Sequence, residues 1–196
     1  MKSRVRVGIA ATLLALIALP GLAVPASAGL KLDRFKGHLS FGYARLVSDS
    51  LAPAGSISVA AGLEYPVHEQ WRIGPTGSFN LLGSSSAKRG SVTAGLDYSV
   101  VDVALMATYL PKRSWVSRVS FGPGVASAHA DLAVSAGGAA FRDLAVAQAS
   151  PEFALDVTLM PRRMKIVGIG AEFGARILPT DPGVWSVWTG RVAIHF

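Results

Sequence analysis

Cysteine is absent from all 196 residues, which excludes disulfides and thiolate metal sites and leaves no thiol for a lipid anchor. Beyond residue 28 there is no apolar run of eighteen or more, so no transmembrane helix is expected. If that part of the chain crosses a membrane, it must do so as a closed barrel, because only helices and barrels satisfy every backbone polar group in lipid. Charged residues are sparse, at 16%, and form no basic stripe, so the formal charge of +7 does not point to nucleic acid. Phosphate-binding loops are missing as well, since Gly122 to Gly124 and Gly168 to Gly170 lie within strand-like sequence with no helix after them.

The first 28 residues stand apart from the rest. Lys2, Arg4 and Arg6 precede an apolar run from Val7 to Leu19, then Pro20-Gly21 and Ala26-Ser27-Ala28. This is the order of a secretory signal peptide, and the run is too short for a spanning helix. Residues 1–28 are therefore expected to be a cleaved leader and residues 29–196 a single domain. Loss of the leader lowers the formal charge from +7 to +4.

From Phe35 onward the hydrophobic period is two, the period of a strand with one apolar face. Phe35, Gly37, Leu39, Phe41 and Tyr43 alternate with Lys36, His38, Ser40, Gly42 and Ala44. The same alternation recurs over Ser56 to Tyr65, Trp71 to Leu81, Trp115 to Ala126, Glu152 to Leu159, Val167 to Arg176 and Trp185 to Phe196. Between them, Val92 to Tyr109 is apolar in two phases, read as one long strand with a bulge near Val100. Pro75 and Pro123 fall inside strands where proline cannot donate to a ladder, so a bulge or a later strand start is expected at each. Turn chemistry marks loops at Ser48 to Pro53, Gly83 to Gly90 and Thr180 to Gly183. Residues 130–150, with Gly137-Gly138, read as a protruding hairpin, with a short helix over Phe141 to Ala147 as the competing reading. The sum is all-β: eight antiparallel up-and-down strands, with longer connections after the odd strands than after the even ones.

The residue sets decide which face meets lipid. The apolar set carries no charge inside the spans, and its aromatics fall at two heights: Phe35, Tyr65, Trp71, Tyr109, Trp115 and Phe196 at the turn end, and Tyr43, Phe79, Phe173 and Trp188 near the other. Two aromatic girdles belong to a membrane interface, so the apolar face is expected outside. The opposite set is Gly, Ala, Ser and Thr, with Lys36, Arg72, Arg118, Arg176 and Arg191 against Glu64, Asp102, Glu152, Asp156 and Glu172. These ten are expected to pair in a lumen filled by its own side chains. His38 and His195 face that lumen, without the second ligand a metal needs, and His68 is in a turn. No metal and no cofactor are expected.

The final strand, with Trp188, Gly190, Val192, Ile194 and Phe196 on one face, resembles the C-terminal strand of bacterial outer-membrane β-barrels. Tyr109-Leu-Pro-Lys-Arg-Ser-Trp115 followed by Phe121-Gly-Pro-Gly124 resembles a hairpin of the small eight-stranded family that includes the membrane domain of outer-membrane protein A. The resemblance implies residence in the outer membrane of a Gram-negative bacterium, contact with outer-membrane lipids, and recognition by the barrel-assembly machinery through Val192, Ile194 and Phe196. The function it implies is non-enzymatic: a plugged barrel whose external loops contact a surface or partner. Two alternatives stay open, a carrier or channel for small apolar molecules and a lipid A-modifying hydrolase. For the hydrolase, Ser127 and His129 share one strand face, with Asp131 or Asp143 as the acid. No catalytic residue is assigned, because Ser-x-His arises easily in an Ala-rich strand.

Overall fold

The computed structural model describes residues 32–47, 55–112, 115–136, 139–160, 167–180 and 183–196. The expected leader and the expected loop at Ser48 to Pro53 lie outside them. Of the first compact unit, Met1–Arg34, only a single 3-10 turn at Leu32–Arg34 is described; the second, Phe35–Phe196, is the barrel.

Eight strands make it: β1 Lys36–Val47, β2 Gly55–His68, β3 Trp71–Arg89, β4 Val92–Tyr109, β5 Val116–Ala136, β6 Ala139–Leu159, β7 Gly168–Thr180 and β8 Gly183–His195. Each pairs antiparallel with its chain neighbours, and β8 returns to β1 to close the ring. The seam runs from His38↔His195 to Val47↔Ser186, and Gly37 and Phe196 extend it by exchanging both backbone hydrogen bonds, at 2.9 and 3.0 Å.

Alternation sorts the side chains as the period of two dictates. On β1, Leu39, Phe41 and Tyr43 are exposed while His38, Ser40 and Ala44 are buried. Ile57, Val59, Leu63, Leu105, Phe173, Trp188 and Val192 continue the exposed apolar face around the barrel. A soluble barrel hides such residues, whereas one in lipid turns them outward.

The irregularities differ from the expected ones. No phase slip occurs near Val100: Tyr98, Val100, Asp102, Ala104, Met106 and Thr108 all point inward, and pairing with β5 keeps one register across Val100↔Ala128. The shift lies on the facing strand, between Leu81 and Gly83, where Gly83 takes a φ of 82° that a side chain rarely adopts. Pro75 and Pro123 produce neither a bulge nor a late start. The β2–β3 pairing skips from Gly62↔Thr76 to Tyr65↔Ile73, and the β4–β5 pairing from Ala104↔Gly124 to Ala107↔Phe121, each without a change of register. Each proline thus withholds its donor on one side only, and the neighbouring pairs hold the strands together.

Beyond the membrane, β3 to β6 continue: β5 and β6 as the hairpin expected over residues 130–150, and β3 through Gly83 to Arg89, where a loop was expected. Pairing of β3 with β4 persists to Arg89↔Val92, and that of β5 with β6 to Ala136↔Ala139. The segment from Gly83 is therefore strand up to a tight turn at Gly90, and Phe141 to Ala147 is strand rather than helix. A helix there would forfeit the ladder bonds that β5 offers throughout. The β6–β7 pairing stops at Phe153↔Ile177 and the β2–β3 pairing at Ser58↔Asn80. The four long strands thus rise on one side as a separate sheet.

Replacing Phe41 by Arg places a charge on the exposed face near mid-strand. It should destabilise the folded barrel in lipid vesicles by about 2 to 4 kcal/mol, measured by urea unfolding. A loss below about 0.5 kcal/mol would show that this face is not in hydrocarbon.

Candidate functional site

Eight strands leave an interior only wide enough for side chains. The lumen is therefore the place where buried chemistry gathers, and register arranges it in three layers.

Nearest the turn end, Glu64 of β2 gathers the charges. Arg118 of β5 pairs with it directly, Arg72 of β3 approaches to 3.7 Å, and the Thr108 hydroxyl donates to Oε1 at 2.8 Å. Thr108 also meets the Ser120 hydroxyl at 2.9 Å. Arg118 donates from Nη1 to Nδ1 of His195 at 2.8 Å, and since a guanidinium only donates, that nitrogen carries the lone pair. His38 stands beside His195, ring centroids 5.6 Å apart.

The middle layer is built on Asp156 of β6. It accepts from both terminal nitrogens of Arg176, at 2.9 and 2.8 Å, and from Arg191 at 2.8 Å. Nε of Arg191 reaches Glu172 at 3.0 Å, and Glu172 also accepts from Ser40 at 3.0 Å. Nε of Arg176 faces Asp102 at 3.6 Å, and Asp102 accepts from Ser78 and from Asn80. A chain of donors and acceptors thus crosses six of the eight strands.

Above these lies a layer without charge. Ala44, Leu46, Leu82, Tyr98, Val100, Ala126, Ala128, Leu178 and Val187 pack together, with Leu96, Ala130 and Trp185 against them. Sequence reading placed Ala44 and Ala126 inside but missed the layer, because it assigned the large apolar residues to the outer face. The signal was present as apolar doublets at the outer strand ends, Leu81-Leu82 and Ile177-Leu178, where both faces are apolar. It is also the reason Val92 to Tyr109 looked apolar in two phases.

Of the ten charges expected in the lumen, eight form ion pairs: Glu64, Arg72, Asp102, Arg118, Asp156, Glu172, Arg176 and Arg191. The other two depart from the expected pairing. Lys36, first residue of β1, is exposed at the rim, where the lumen opens to water. Glu152 is buried, and neither of its oxygens has a hydrogen-bond partner among the described residues.

At the turn end, Phe35 packs on Tyr65 at 5.4 Å and Trp71 on Tyr109 at 5.1 Å, while Trp115 and Phe196 are exposed. At the other end Tyr43, Phe173 and Trp188 are exposed, with Phe79 partly so. Val192 also faces out, with Ile194 two residues on.

Ser127 and His129 lie on the outer face of β5, with Oγ and Nε2 at 3.0 Å. Asp131 makes no ion pair with His129 among the described residues, and the side chain of Asp143 lies outside them. The strand's backbone donors are occupied in the ladder, so no oxyanion site accompanies the pair. Among the described residues, no group of three metal-ligating side chains occurs.

No family model and no curated protein matches the sequence. Solved structures do. The attachment invasion locus protein Ail of Yersinia pestis, crystallised with the heparin analogue sucrose octasulfate, is similar with a TM-score of 0.56 at 15% identity, over 83% of this chain and 99% of that one. Neisserial surface protein A is similar with a TM-score of 0.51 at 16% identity, over 82% of this chain and 95% of its own. At such identities the likeness concerns the fold. The chain has the architecture of the small Gram-negative outer-membrane barrels, the fold class expected from its sequence.

Asp156→Asn removes the charge on which Arg176 and Arg191 converge. It should cost about 3 to 5 kcal/mol in vesicle unfolding, because two buried guanidiniums lose their common partner. Glu69→Gln, which breaks only the exposed pair with Lys112, should stay within about 0.5 kcal/mol.

Proposed function

We propose that this is a non-enzymatic outer-membrane barrel that contacts an external surface or partner through the one-sided sheet formed by β3 to β6. The observation that carries the reading is the length difference: 18 to 21 residues in β3 to β6 against 12 to 14 in β1, β2, β7 and β8. Strands of 9 to 11 residues span a bilayer, so the excess stands in water. A sheet continued from a closed barrel is held rigid at its base, which lowers the ordering cost of docking. The packed lumen below serves as a plug and a scaffold. Phe196 and the residues before it serve as the assembly signal, and the two girdles hold the barrel at the lipid interfaces.

The names of two neighbours, an attachment and invasion protein and a surface protein, support contact at the cell exterior. The sulfated ligand of the first does not transfer readily. On the described part of the extension Lys88 and Arg89 stand at the β3–β4 tip, and Asp97 and Asp131 face one another lower on the sheet, a balance of charge that does not favour a polyanion.

A second reading has its own observation. The apolar layer at the outer end of the lumen supports a site for a small apolar ligand, entered from outside and closed below by the ion pairs. Carriage across the membrane is not favoured, since the middle layer fills the section.

Shortening the β5–β6 hairpin by joining Ala130 to its register partner Val146 through Asn-Gly should preserve the heat-shifted gel band and abolish adhesion of producing cells to cultured cell monolayers. Equal adhesion by both would remove the contact reading for that surface. In planar bilayers the purified barrel should pass no current above the lipid background, and stable open channels would overturn the plug. Deleting Phe196 should reduce inserted protein at least several-fold in outer-membrane fractions, and normal insertion would rule out the terminal signal.

A further inference from the structure

The buried lumen residues of the described strands include five carboxylates, Glu64, Asp102, Glu152, Asp156 and Glu172, but three guanidiniums, Arg118, Arg176 and Arg191, with Arg72 partly exposed near the turn end. The surplus is localised at Glu152. Arg176, the nearest cation, has spent its fork on Asp156 and turns its Nε to Asp102. Glu152 is 5% exposed and both of its oxygens are without a hydrogen-bond partner. A carboxylate withdrawn from water without a counterpart is costly, and Asp102 and Asp156 add further negative charge beside it.

Its seat is shaped by the facing strand. Glu152 lies opposite Gly124, and a Cβ there would come within 2.6 Å both of Oε1 and of the Val103 carbonyl oxygen, so the glycine makes room for the carboxylate and for the neighbouring strand. Toward the exterior the surroundings become apolar: Ala126, Val100 and Leu178, then Tyr98 and Trp185, whose rings meet edge to face at 6.1 Å. A carboxyl group without a hydrogen-bond partner among the described residues thus lies at the floor of the apolar layer.

We propose that Glu152 and this layer bind a small organic cation, an ammonium group on a short apolar body, with the ammonium on Glu152 and the body among Leu178, Val100, Tyr98 and Trp185. The proposal rests on the reading of the outer lumen as a ligand site and adds the chemical class of the ligand. Charge complementarity selects the occupant. A neutral molecule leaves the surplus carboxylate unanswered, and an anion aggravates it.

The test uses the purified barrel in neutral detergent, with hexylammonium as probe, hexanol as its uncharged counterpart and sodium chloride at equal ionic strength. Hexylammonium should change the tryptophan emission saturably, and Trp185→Phe should abolish the change. Glu152→Gln should weaken the apparent affinity about tenfold or more, the scale of one lost charge-assisted bond. Folding of each variant is checked by its heat-shifted gel band. Should Glu152→Gln fail to fold, Glu152→Asp, which keeps the carboxylate, should retain the preference for hexylammonium over hexanol, and Glu152→Ala should lose it. Equal binding of hexanol and hexylammonium, or unchanged affinity in Glu152→Gln, overturns the cation site while leaving an apolar-ligand site standing. Binding of neither probe overturns both. An equal response to sodium chloride alone overturns the organic cation.

Discussion

The backbone hydrogen bonds between β8 and β1 are the constraint on which everything else depends. In hydrocarbon an open sheet edge leaves a row of donors and acceptors with no partner, each costing several kcal/mol, so the chain either closes or does not span. Closure from Val47↔Ser186 down to the Gly37–Phe196 exchange satisfies both edges at once. It also fixes the parity of every strand. Once the ring is shut, each residue faces either lipid or the lumen, and a one-residue slip anywhere would turn Arg191 or Asp156 into the membrane.

From this follows the inversion of the usual core. The outer face is apolar because lipid is the solvent there, and polar groups must gather inside, where space is short. Most of the charge in so narrow a section is held in pairs with additional hydrogen bonds, which is how Asp156, Arg176 and Arg191 are arranged. The same narrowness explains why Ser and Thr recur on the inner face. Their short hydroxyls fill residual donor and acceptor positions, as Ser40 does for Glu172 and Thr108 for Glu64. Toward the outer end the charges give way to Leu82, Val100 and Val187, so the lumen is graded along its axis, polar below and apolar above.

The extension of β3 to β6 obeys a different solvent. Above the lipid, water satisfies unpaired edges, and strands can continue on one side without closing. Closure is required only across the hydrocarbon, so the extension reflects water as its solvent while the ring itself reflects the demands of lipid.

Much of this was legible in the residues. Period-two alternation with an uncharged apolar face points to a barrel in lipid, because it reflects a local demand of lipid on single side chains. The charged residues of the inner face were legible for the same reason. What the sequence left open were relations between distant positions: which carboxylate claims Arg176, that Lys36 stays at the rim, that Glu152 is left alone, and that Val100 belongs inside. Those depend on strand register and shear, which bring Asp102, Asp156 and Arg176 together from three different strands. The prolines teach the same lesson, since only the neighbouring pairs reveal that register survives a missing donor. Local chemistry by itself determined the solvent each face would meet. The tertiary structure alone decided which buried charges would find one another, because that choice is made across the barrel and not along the chain.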